Sequence, residues 1–385
     1  AGGAGGAGLD ITEVFSTYLY TGTGATKTIT NGLDLDGEGG LVWTKDRTST
    51  EDGHHILFDT ERGVYKFLFS NLTSSELSDT QSLTSFNSNG FALGTGAAVN
   101  GSGKEYVSWN FRKAPKFFDV VKYTCPSNND ANVSHNLGAV PAMIIGKRTD
   151  TSGNWMVWHI NTGMSNGGVT GLSLNNTASA AFTGVQSDQG INSSTFNTGY
   201  VLSSDSIKAV VAGGEYVFYL FAHDTASDGL IQCGSYTGTG SYSNPPVVNL
   251  GWSPQWIMIK RKDDTGSWQI YDTTRGATQD SSAYLRADQT QAEQTYSGGY
   301  VGFYPTSTGF SLSIDGSEGN ASGGTYIYMA IRSASAPAIT WPTSIEWTQG
   351  TTPKTPAEGA TDVYTFTTDD GGTTYTGIQS IDTAS

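Results

Sequence analysis

Residues 143–159 read MIIGKRTDTSGNWMVWH. An apolar run ends on Lys147 and Arg148, a polar stretch with one glycine follows, and a second apolar run carries Trp155 and Trp158. Alone, the pattern fits a β-hairpin, a basic ligand site or an aromatic binding platform. Two other stretches bear on the choice: WIMIKRKDDTGSWQIYD at 256–272 and LVWTKDRTSTEDGHHILFD at 41–59. Gly153-Asn154-Trp155 aligns with Gly266-Ser267-Trp268, and in the earliest copy His55 takes the Trp position. His159 aligns with Asp272 and Asp59, and each copy then reaches a glycine, at Gly63, Gly163 and Gly276.

The likeness continues downstream. SFNSNGFALG (85–94), STFNTGYVLS (194–203) and YPTSTGFSLS (304–313) share a turn, a Gly, an aromatic and then alternation. Closing runs EYVSWNFR (105–112), EYVFYLFA (215–222) and TYIYMAIR (325–332) place Tyr106, Tyr216 and Tyr326 at steps of 110 residues (216 − 106 and 326 − 216). That period exceeds a solenoid unit of roughly 20–50 residues and matches an independent domain. Alternating aromatic and β-branched runs bounded by Gly, Asn, Asp and Ser turns predict short strands in sandwiches. The expected organisation is a Gly-rich segment at 1–11 and β-sandwich modules at 12–113, 116–223 and 229–335. A linker with a C-terminal hairpin follows at 336–385, its turn at Asp369-Asp370-Gly371-Gly372. The joins at 113–116 and 223–229 are short, so the modules are expected to touch and hold a fixed orientation. The segment AGGAGGAG (1–8) lacks side chains for a core; it reads as flexible or as threaded between neighbouring chains.

A net charge of −15 argues against phosphate-directed nucleic-acid binding and against docking on anionic membranes. No run approaches the ~18 apolar residues of a membrane span. Cys125 and Cys233, the only cysteines, read either as two separate buried thiols or as one disulfide between modules.

The repeat reduces most site candidates to packing. In the hairpin reading, positions 155, 157 and 159, like 268, 270 and 272, alternate onto one face, and the basic pairs Lys147/Arg148 and Lys260/Arg261 border the turn. Asp59 with Arg62, and Asp272 with Arg275, read as ion pairs bracketing a turn; the second copy has His159 and Thr162 instead, which makes that pair the place to seek a private contact. Tyr236 and Tyr242, in a polar turn-rich stretch, are further ligand-binding candidates. Asp34, Asp36 and Glu38 stand two apart around Gly37 and could offer oxygens to calcium, otherwise forming a solvated turn. No other cofactor is expected. No HExxH, GxSxG or metal-spaced His/Cys motif occurs, so no catalytic residue is assigned and the chain is not read as an enzyme.

The segments STYLYTGTG, ITNGLDL, GGLVWTKDR and LFDTERG, with NLGAVPAMIIGKR and NLGWSPQWIMIKR, resemble a repeat of virion fibre and appendage proteins of marine bacteriophages, cyanophages especially. ITWPTSIEW and DVYTFTTDDGGTTYTG resemble a terminal element of phage fibres. The resemblance implies jelly-roll or concanavalin-like sandwiches on the exterior of the virion. It implies a tail-fibre or appendage subunit that is a homotrimer, contacts other virion proteins and contributes to adhesion on a host-cell surface glycan or receptor. The alternatives are a purely architectural capsid-decorating or connecting protein and, behind it, a polysaccharide-degrading tailspike.

Overall fold

Strand-forming runs of this composition leave the backbone no partner within the run, so each must pair laterally. In the computed structural model the described residues are 9–48, 53–126, 132–162, 164–165, 168–182, 190–197, 212–278, 281–297, 301–313, 318–334, 344–347, 363–368 and 372–381. Among the described residues the protein is all-β apart from short turns of helix at Ile11–Glu13 and Ala97–Asn100.

One sheet pattern recurs. The first large sheet orders Phe15–Thr21, Glu105–Arg112, Gly40–Asp46, His55–Asp59, Lys66–Phe69 and Leu77–Ser78. The second orders Phe118–Thr124, Glu215–Phe221, Met143–Arg148, Met156–His159, Gly168–Ser173 and Met164–Ser165, with Ala181–Phe182 beside Gly168–Ser173. The third orders Ile231–Thr237, Thr325–Arg332, Pro254–Arg261, Gln269–Asp272, Ser281–Arg286 and Gln294–Ser297. In each, the closing strand lies between the opening strand and the hairpin. The stretch 143–159 is that hairpin, with Met143 opposite His159 and Gly146 opposite Met156. A small antiparallel sheet accompanies each large one: Lys27–Thr30, Gly90–Leu93 and Leu83–Asn87; Asn132–Ser134 with Thr195–Asn197; and Val247–Asn249, Gly309–Ser313 and Val301–Thr306.

The large sheets are buried on both faces, which a free-standing sandwich does not require. In the first repeat Val42, Ile56, Phe58 and Tyr106 pack on Ile29, Phe91 and Leu93 of the small sheet. The opposite face, with Leu41, Trp43, Leu57, Val107 and Trp109, is equally buried. Rings on that side meet across repeats: Phe111 lies 5.5 Å from Phe221 and 5.9 Å from Trp256. The in-out alternation expected of a sandwich strand is absent here because a neighbouring repeat takes the place of solvent. Contacts accordingly divide the chain into Ala1–Ser333 and Ala334–Ser385. Cys125 and Cys233 are both buried and are not joined in a disulfide.

In the terminal unit Val363–Thr367 and Tyr375–Ile381 form the expected antiparallel pair, and Ile345–Trp347 adds a parallel strand. Trp347 sits edge-on to Tyr364 and Phe366, at 5.8 and 5.9 Å. The glycine-rich residues 1–8, Gly163 and the predicted turn residues Asp369–Gly371 lie outside the described residues.

Candidate functional site: the seams between repeats

The recurring polar residues of the hairpin meet where one repeat abuts the next. Asp59 and Asp272 are fully buried. Each carboxylate holds the arginine that follows it: Asp59 accepts from the Arg62 amide at 2.9 Å and from its Nε at 2.5 Å, and Asp272 accepts from Arg275 at 2.8 and 2.6 Å. Closing this turn takes the chain through the left-handed region at Gly63 (φ 85°) and Gly276 (φ 94°), which explains the recurring glycine. The same carboxylates also accept a donor from another repeat. Tyr219 O–H donates to Asp59 at 2.8 Å, and Trp109 Nε1–H donates to Asp272 at 2.9 Å. The Arg275 guanidinium lies 5.3 Å from the Trp109 ring centre.

Tyr219, Trp109 and Met329 occupy equivalent places in the closing strands. Methionine has no N–H or O–H to donate. The seam between the second and third repeats is closed the other way round. His159 Nδ1 accepts from the Asn161 amide at 3.0 Å, so Nε2 carries the proton and donates to the Tyr328 carbonyl at 3.1 Å. Burial pushes His159 down to about 4, so the imidazole is neutral at pH 7. The Thr162 hydroxyl, in the place of the two arginines, donates to the His159 carbonyl at 2.7 Å.

Two further contact sets run around the same ring. Trp155 Nε1 donates to the Phe69 carbonyl at 2.8 Å and Trp268 Nε1 to the Ser173 carbonyl at 2.9 Å; His55, at the equivalent position, faces the Arg286 backbone. Backbone amides of Glu76, Ala180 and Glu293 donate to the carbonyls of Thr149, Lys262 and Arg47 at 2.8–2.9 Å. These contacts join the first repeat to the third, the second to the first and the third to the second, so the ring closes within one chain. A fourth recurring group lines it. Lys45, Lys147 and Lys260 are buried, and burial pushes each down to about 8. Lys147 and Lys260 donate to the carbonyls of Arg148 and Arg261 at 2.7 and 2.8 Å. Lys45 and Lys260 also reach across to the carbonyls of Thr290 and Thr177, at 3.3 and 3.2 Å.

The sequence candidates therefore separate. His159 and Thr162 are 1 and 7% exposed and form a contact between repeats rather than an open ligand site. Tyr236 stacks on Tyr326 at 5.0 Å and donates to the Gly319 carbonyl at 2.7 Å. Tyr20 does the same with Tyr106 and Val99 in the first repeat, so Tyr236 is a recurring element of the fold. Tyr242 is 38% exposed. Asp34 accepts from the Gly37 amide at 2.7 Å, and Glu38 leans toward Arg112 at 3.7 Å. Among the described residues no group of three or more His, Cys, Asp or Glu side chains is placed to hold a metal ion, and no helix is long and apolar enough to cross a membrane. The basic pairs end in local partners: Arg148 on Asp150 at 2.7 Å and Arg261 on Asp263 at 3.0 Å. Sequence reading found the Asp/His and Trp positions but not their cross-repeat partners, Trp109, Tyr219 and Tyr328, whose roles depend on how the sheets pack.

Among curated proteins, no sequence matches this chain. One family model matches residues 10–335 and is described as a domain of unknown function, DUF7483. It covers all three repeats as one domain, in agreement with the compact unit that ends at Ser333. The chain thus belongs to the DUF7483 family.

Proposed function

We propose that this protein is a structural component of a bacteriophage virion, an exposed tail-fibre or appendage subunit that contributes to adhesion on host-surface glycan. The observation that carries the structural role is the closed ring of seams. The polar groups at the recurring hairpin positions, carboxylates in the first and third repeats, an imidazole in the second, indoles in the second and third, and the amines of Lys45 and Lys260, are directed at neighbouring repeats. Such use suits a rigid block that holds surface loops in fixed positions. The resemblance to phage appendage repeats supplies the setting, and a net charge of −15 favours a neutral or cationic surface as partner. Within one chain the three sheets make the contact that a homotrimer makes between subunits, so self-association would use other surfaces, the terminal unit among them. Immunogold imaging of virions tests the reading: label on fibres or appendages is expected, and absence from particles overturns it. Label confined to the capsid shell or to a connector favours the architectural alternative.

A further inference from the structure

The third repeat departs from the first at one place where the fold gives no reason to. In the first repeat, Ile56, Phe58, Phe67 and Phe69 share the core-facing side of the outer strands and Leu77 continues that side to an exposed edge, with Ile56 paired to Phe69 and Phe67 to Leu77. The register of the third repeat puts Gln269, Tyr271, Tyr284, Arg286 and Gln294 at those positions, pairing Gln269 with Arg286 and Tyr284 with Gln294. Five apolar side chains have become amide, phenol and guanidinium. A sixth change completes the set. Val99 and Gly319 are equivalent, each accepting from the first tyrosine of its stacked pair, so Glu318 stands where the first repeat has Ala98.

These groups form one network. Arg286 donates to Glu318 at 2.6 Å and to Gln291 and Gln294 at 3.0 and 3.1 Å. Gln269 Nε2 donates to Glu318 at 2.7 Å, and Tyr284 O–H to Gln294 at 2.6 Å. Tyr284 stacks on Tyr296 at 4.5 Å, with Arg286 5.1 Å from the Tyr284 ring centre. Among the described residues the Arg286 Nε finds no hydrogen-bond partner. The network opens outward: Gln291 and Gln294 are exposed, Tyr296 is half-buried, and the Glu318 side chain is 26% exposed. The first repeat builds the same strand order from an apolar set, so the polar set is not needed to form the sheet. Sequestering polar groups without full pairing is unfavourable by about 1–3 kcal/mol each, and local departures of this kind collect at functional sites.

We infer that this margin of the third repeat is a saccharide-binding site, with the amides of Gln291 and Gln294 and the Arg286–Glu318 pair bonding hydroxyls beside the Tyr284–Tyr296 stack. The ligand class is a neutral sugar. Glu318 already balances the Arg286 charge, and a chain of net charge −15 disfavours an acidic polymer. The site rests on the adhesion part of the proposed function and gives it a location.

The test is a glycan array of neutral hexose oligosaccharides and uronate-bearing ones, read with the full-length protein and with Gln294→Leu, Gln291→Ala and Glu318→Gln, each also followed by thermal melting. Binding to neutral members, reduced at least tenfold by Gln294→Leu and Gln291→Ala with melting unchanged, is the expected result; Glu318→Gln keeps the shape and loses the charge pairing. Equal binding by wild type and all three variants overturns this site while leaving adhesion elsewhere on the protein intact. Absence of binding by the wild type overturns both the site and the adhesion reading, and binding only to uronates overturns the assigned sugar class.

Discussion

The seams that Asp59 and Asp272 close differ from the one that His159 closes, and the difference shows what the ring requires. In two seams a buried carboxylate accepts a hydrogen bond from an aromatic donor of another repeat, Tyr219 or Trp109, and its remaining valence is taken by a buried arginine. In the third, the residue at the donor's place is Met329. A carboxylate there would face a thioether, and its arginine would be a buried cation held by half a partner. Histidine removes both problems because a neutral imidazole carries its own donor, and Thr162 returns to the local backbone. The constraint is thus one satisfied hydrogen bond across each seam; the residues that provide it are free to change together.

The largest break in this comparison should come from His159→Asp. It places a carboxylate against Met329 without arginine or donor, and we expect a loss of about 3–5 kcal/mol in chemical denaturation. Adding Thr162→Arg and Met329→Trp to the same chain should recover part of that loss. If the triple variant is no more stable than the single one, the three seams are not interchangeable. Asp59→Ala leaves Arg62 buried beside a lost partner and should cost a similar amount.

Acid should separate the seams next. The folded His159 titrates near 4 against an ordinary value of 6.5, so between these values the unfolded chain binds more protons and stability falls as pH is lowered from about 6.5 to 4. The upper bound for this one group is roughly 3 kcal/mol. His55, His135 and His223 are also pushed down, chiefly by burial, and contribute with the same sign. His159→Gln should remove part of the slope and leave the rest.

The buried lysines give the opposite end of the pH scale. Lys45, Lys147 and Lys260 fall to about 8 from 10.5, so the unfolded chain again holds the extra protons and stability should rise as pH climbs from about 8 toward 9.5. Above that, buried tyrosines such as Tyr219, which burial holds protonated, reverse the trend. Lys260→Met should flatten the rise by about a third. The smallest effect belongs to Arg47→Ala. The Arg47–Glu293 pair crosses the seam between the first and third repeats at 2.6 Å, part of each side chain stays in contact with solvent, and Glu293 keeps Arg275 as a partner at 3.1 Å, so a change of about 1 kcal/mol is expected.

Much of this was legible in the chain itself. The threefold recurrence, the hairpin at 143–159, the all-β class and the alternation of positions 155, 157 and 159 follow from spacing, because strand periodicity is local and any stretch of the right composition displays it. The exchange of Asp and Arg for His159 and Thr162 was visible as an exception, and the aspartate–arginine turn as a pair. The sequence stopped at the second face of each sheet. Periodicity tells which residues share a face but not what covers it, so the indoles of Trp155 and Trp268 read as core of their own module, when they reach Phe69 and Ser173 of other repeats. Tyr236 read as a loop aromatic because its stacking partner, Tyr326, lies at the far end of the repeat. What only the tertiary structure decided is the ring: burial of both faces, and with it the meaning of every recurring polar residue, depends on groups brought together across distant parts of the chain.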